Sequence, residues 1–136
     1  MEWIMAYLAA AVAFFALDYV WLAKVAKTFY RDRLGALLHD KPNMTVAILF
    51  YLLFVVGVII FAVAPALRDG SWMTALLLGG LFGFFTYATY DLTNLATLKN
   101  WPLSVVVVDI AWGTGLTGLT ALIGYVGSSA IMSVLV

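Results

Sequence analysis

The chain has 136 residues, of which 65% are hydrophobic and 10% charged, with a formal net charge of zero. Ordinary soluble domains are roughly 45–50% apolar and about 25% charged, so this much apolar surface excludes a water-soluble fold, and the balanced charge excludes a nucleic-acid binder. Cysteine is absent, which removes disulfides, thiolate metal sites and cysteine nucleophiles.

In chain order, a hydrocarbon layer of about 30 Å calls for about 20 apolar residues of helix. Four stretches meet this requirement, at 3–25, 44–67, 72–98 and 102–125. Backbone groups in lipid must be satisfied within the segment, and no two-residue alternation suggests a barrel. The expected fold is therefore all-α: a polytopic membrane protein built as one antiparallel bundle of four transmembrane helices. The first segment opens Met1-Glu2-Trp3 with no basic region and outruns a signal-peptide core of about 7–15 residues, so it is expected to be retained. The tail after Tyr125 is apolar with interspersed serines, and either an extended fourth helix or an interfacial segment satisfies it.

The first connection, 27–43, mixes Phe29, Tyr30, Leu34, Leu37 and Leu38 with basic residues. It reads either as an amphipathic helix on the membrane surface or as a linker holding orientation. Short turns follow at Ala64–Gly70 and Lys99–Pro102, punctuated by proline and glycine. Lys24, Lys27, Arg31, Arg33, Lys41 and Lys99 lie at the first and third loops against Arg68 alone at the second, which assigns loops one and three to the cytoplasm and both termini to the outside. Ala75, Gly79 and Gly83 form a ridge of small residues suited to close helix packing.

An ionisable residue at mid-bilayer costs roughly 2.5–3.5 kcal/mol on insertion scales and marks a functional site by default. Asp18, Asp91 and Asp109 each lie seven residues from the same boundary of their expected helices. At 1.5 Å rise per residue that is one layer about 10 Å below the cytoplasmic face. Trp21 follows Asp18, Trp112 follows Asp109, and Tyr87 and Asn94 flank Asp91 at helical spacing, giving polar donors and aromatic walls around the carboxylates. The candidate ligand-binding set is thus Asp18, Trp21, Tyr87, Asp91, Asn94, Asp109 and Trp112. A purely architectural role remains open, in which the aspartates bond to Thr93, Asn94, Thr97 or indole N–H groups and fix helix register. Crowded carboxylates also suit a proton relay, and Asp with Asn is a hard-ligand set, but no cofactor or metal is expected. His39, the single histidine, falls in the polar first loop.

The block Tyr87-Ala88-Thr89-Tyr90-Asp91-Leu92-Thr93-Asn94-Leu95-Ala96-Thr97-Leu98, followed by Trp101-Pro102, resembles the hallmark of a bacterial family of small membrane proteins catalogued as a domain of unknown function. Leu17-Asp18, Trp21-Leu22, Phe29-Tyr30, Leu34-Gly35, Phe50-Tyr51, Pro65-Ala66-Leu67, Gly70, Asp109 and Trp112-Gly113 extend the resemblance over nearly the whole chain. It implies a four-helix protein of the bacterial inner membrane and assigns no activity to any residue.

Three roles fit these features. The leading one is binding of a lipid or amphipathic small molecule in a polar–aromatic site near the cytoplasmic leaflet. The others are a structural or accessory subunit, as a homodimer or within a larger membrane complex, and a lipid-modifying enzyme using an aspartate as general acid or base. No nucleophile or oxyanion donor set completes the last, and catalytic residues stay unassigned. Membrane lipids are the expected partners.

Overall fold

The computed structural model describes residues 1–135, and these form helices and connecting turns without a strand. Four helices are long and apolar enough to cross a membrane: α1 (Glu2–Leu37), α2 (Met44–Asp69), α3 (Trp72–Thr97) and α4 (Leu103–Leu135). Only 22–39% of their most apolar windows is buried within the chain, so large side chains such as Leu8, Val12, Leu53 and Phe85 face outward. That is the pattern of a bundle solvated by lipid.

Two helices run further than the sequence boundaries suggest. α1 does not end near Val25: a wide π turn at Leu22–Ala26 carries it on through Lys27–Leu34 to a last tight turn at Gly35–Leu37. The reason is packing. Leu34 is buried with Trp101, Val105 and Val106, Phe29 and Tyr30 pack alongside, and Arg33 Nε donates to Ser104 Oγ at 3.1 Å. The extension is therefore docked on the start of α4, and the connection to α2 shrinks to residues 38–43. α4 likewise continues through the serine-containing tail, where Ser128 Oγ donates to the Glu2 carbonyl at 3.0 Å and takes it up against the start of α1.

Boundaries elsewhere follow local chemistry. Asn43 accepts from the Val46 N–H at 3.2 Å and Ser71 from the Thr74 N–H at 3.3 Å, capping α2 and α3. Gly70, at φ 63°, supplies the left-handed residue that ends α2. Pro65 lies inside α2, and the π turn at Ile59–Val63 just before it absorbs the lost N–H and the ring.

α4 is the central helix, packed on α3 along one side and on α1 along another. Both contacts run in opposite chain senses: Gly79 meets Ala121 while Gly83 meets Gly113, and Ala10 meets Gly124 while Trp21 meets Trp112. The α3–α4 seam is built on absent side chains. A Cβ on Gly83 would come within 2.6 Å of the Thr117 side chain, one on Gly79 would come within 2.6 Å of Ala121, and one on Gly113 would fall inside the Tyr87 ring. Without a hydrophobic force between helices in lipid, such close approach is what supplies attraction.

α2 joins this core over half its length. From Phe54 onward it contributes Phe54, Val55, Val58, Ile59, Ala62 and Val63, whereas nothing between Met44 and Leu53 is buried. Its first half stands off from α3 and α4, and space remains between them.

Candidate functional site

The space left by α2 lies beside the intramembrane aspartates. The ridge Ala75, Gly79, Gly83 continues one turn at a time into Tyr87 and Asp91, so the surface that locks α3 on α4 also points these two side chains at the interior. Asp91 is fully buried, and neither carboxylate oxygen has a hydrogen-bond partner among the described residues. The Asp109 carboxyl of α4 is a neighbour of Asp91 without forming a hydrogen bond to it.

Asp109 is half-buried, and its Oδ1 accepts a hydrogen bond from the Tyr30 hydroxyl at 2.8 Å. Asp18 on α1 is buried near Asp109, within reach of the Tyr51 hydroxyl of α2 and the Trp112 indole of α4. No bond of normal geometry forms to that indole, because Trp112 Nε1 is unpaired. α1, α3 and α4 thus bring three carboxyl groups into one cluster.

Aromatic rings wall the cluster. Trp21 and Trp112 stack face to face with centroids 4.3 Å apart and planes 5° from parallel, and Tyr30 meets Trp21 edge-on at 6.3 Å. This stack is the structural counterpart of the two Asp-x-x-Trp segments. Tyr87 covers Gly113 and reaches the edge of Phe54 on α2 at 6.4 Å.

Asn94 stands apart. Like Asp18, Trp21, Asp91 and Trp112 it lines neither cleft described below, and its backbone carbonyl accepts from the Leu98 N–H at 2.9 Å where α3 ends. Thr93 and Thr97 turn their hydroxyls back onto the carbonyls of Thr89 and Thr93, a preference of threonine in helices, and leave Asp91 without a donor. His39 stays in the first connection but lines one of the clefts.

Two clefts meet at Asp109. The first, about 680 Å³, lies under the α1 extension, with Lys27, Arg31 and His39 at its rim and Tyr30 and Trp101 deeper in. The second, about 570 Å³, runs between α2 and α3 and is lined by Phe14, Phe50, Phe54 and Tyr87. Asn43, Tyr51, Tyr90 and Asp109 border both, so the two clefts adjoin there. Each lies in the range of roughly 300–1,000 Å³ that binds small molecules.

Tyr30, Tyr51 and Tyr90 are the residues that sequence reading missed here. No serine or cysteine lines either cleft, and among the described residues no three His, Cys, Asp or Glu side chains, the three aspartates included, are grouped so as to hold one metal ion. The arrangement offers acceptors, phenols, cations at one rim and an aromatic trough, which suits recognition.

Four helices of spanning length, apolar outer faces and a buried acidic–aromatic cluster define a small polytopic membrane protein. The chain belongs to the family described as predicted membrane protein (DUF2177), whose model matches residues 3–126. That match takes in the three aspartates and both stacked tryptophans. No curated protein and no solved structure matches the chain.

Proposed function

We propose that the protein binds a lipid or amphipathic small molecule in the paired clefts, near the cytoplasmic leaflet of a bacterial inner membrane. One observation carries this reading: a cleft rimmed by cations and a cleft walled by aromatic rings adjoin at Asp109. An amphiphile has the same order of parts. Orientation is supported by charge, since Arg33 and Leu34 of the α1 extension pack on Ser104 and Trp101, so the basic residues of the first and third loops share one end of the bundle. By the positive-inside rule that end faces the cytoplasm.

The test is native mass spectrometry of protein gently extracted from its own membranes, wild type beside Ala47→Trp, which fills the aromatic cleft, and Asp109→Asn. A stoichiometric adduct carried by the wild type and lost from either variant is the expected result. Identical loose lipid on all three forms sinks the proposal.

A second reading, an accessory subunit or homodimer, has its own support in an outer groove between α3 and α4. Gly80 and Gly115 lie there with almost nothing near their missing side chains, so neither is needed for packing within the chain. A bare surface of this kind admits a neighbouring helix. Purification from native membranes as a solitary monomer counts against it.

A further inference from the structure

We infer that the ligand is a single-chain amphiphile with an anionic head and a hydrogen-bond donor at its neck, between head and chain. This deepens the binding reading above and rests on it.

The sequence of chemistries along the adjoining clefts sets the requirement. At the rim, Lys27, Arg31 and His39 present positive or neutral donors and no carboxylate, which selects an anionic head. At the far end the walls are Phe14, Phe50, Phe54 and the Tyr87 ring, a mostly apolar trough of about 570 Å³ that takes apolar chain, with Asn43, Tyr51, Tyr90 and Asp109 at the border it shares with the cationic cleft. Between the two stands Asp109, whose Oδ1 accepts from Tyr30 and whose other oxygen has no donor among the described residues.

A carboxylate can only accept hydrogen bonds unless it is protonated. A diacyl glycerolipid offers only ester oxygens at its neck; Asn43, Tyr51 and Tyr90 at the same junction can donate to those, but Asp109 is left facing another acceptor. A hydroxyl or amide N–H at that position bonds to Asp109 directly. Trough size points the same way: the head takes up the cationic cleft and a single aromatic trough remains for chain.

The experiment measures binding of three probes to the intact protein in detergent: 1-oleoyl-glycerol-3-phosphate, its 2-O-methyl analogue and dioleoyl phosphatidic acid. All share the phosphate, and the first alone carries a free hydroxyl at the neck. An unmade bond to a charged acceptor costs about tenfold or more in affinity, so the wild type is expected to prefer the first probe by at least that factor over the other two. Asp109→Asn, whose amide both donates and accepts, should bring the preference below about threefold. Lys27→Gln with Arg31→Gln should weaken the first two probes alike and leave their ratio unchanged. Equal affinity of wild type for the free and methylated probes, or a preference that survives in Asp109→Asn, overturns the inference while leaving the amphiphile reading standing. Failure of the wild type to hold any of the three overturns both.

Discussion

Tyr30 and Asp109 lie 79 positions apart and are joined by a hydrogen bond of 2.8 Å between α1 and α4. The bond depends on the π turn at Leu22–Ala26. At 3.6 residues per turn, the twelve positions from Asp18 to Tyr30 leave the two side chains about 120° apart around an uninterrupted helix. A π turn takes up one extra residue, which returns them to within about 20°. Asp18 and Tyr30 then face the same site. Tyr30→Phe is expected to lower stability by about 0.5–1.5 kcal/mol, the net worth of one hydrogen bond, and to loosen bound amphiphile. Thermal unfolding in detergent with and without added lipid checks both effects, and a lipid-dependent stabilisation that survives intact removes Tyr30 from the site.

Gly83 and Gly80 make a matched pair for the α3–α4 seam. A Cβ at Gly83 collides with Thr117 and with the Gly113 backbone, whereas one at Gly80 approaches nothing nearer than Thr114 at 3.9 Å. Gly83→Ala should cost about 1–3 kcal/mol through overpacking. Gly80→Ala should stay within about 0.5 kcal/mol. Unfolding in mixed micelles reads both, and similar losses from the two would mean that the seam is softer than its geometry implies.

Asp91 is fully buried without a donor, so its carboxyl group is a cost to the fold. Asp91→Leu is expected to be at least as stable as wild type and to lose selective binding. Stability is read from thermal unfolding and binding from retained adduct. A variant that unfolds readily would assign the side chain to architecture.

The aspartate layer was legible in the sequence because charge in a spanning segment is conspicuous against an apolar run, and equal distances from helix ends put three carboxyls at one height. The premise was partly displaced, since α1 continues to Leu37 and its end is not seven residues from Asp18. The cluster forms regardless, held by the Trp21–Trp112 stack and the α3–α4 ridge. Tyr51 was marked only by the family resemblance: within Leu49-Phe50-Tyr51-Leu52 its chemistry is that of one more membrane-facing aromatic, and it reaches the clefts because the first half of α2 stands off. Asn94 is helically spaced from Asp91, but α3 ends three residues later at Thr97, and Asn94 lines neither cleft.

Trp21 and Trp112 offer a measure of how firmly α1 is tied to α4 at the site. Stacked aromatic pairs contribute about 0.5–1.5 kcal/mol beyond their buried area. A double-mutant cycle with Trp21→Ala and Trp112→Ala should give a coupling energy in that range. Additive losses would show that the two rings stabilise their helices independently.

Orientation can be read without background, because the chain contains no cysteine. His39→Cys reports the basic end of the bundle, and Asp69→Cys reports the opposite turn, where Asp69 Oδ2 accepts from Thr74 at 3.2 Å beside the α3 cap. With the basic end in the cytoplasm, a membrane-impermeant maleimide added to intact cells should label Asp69→Cys and spare His39→Cys, and permeabilisation should expose the second. The reverse pattern would put the cationic rim of the cleft on the outer leaflet. The amphiphile would then have to enter from that side, and the search for its source would move from cytoplasmic lipids to molecules arriving from outside.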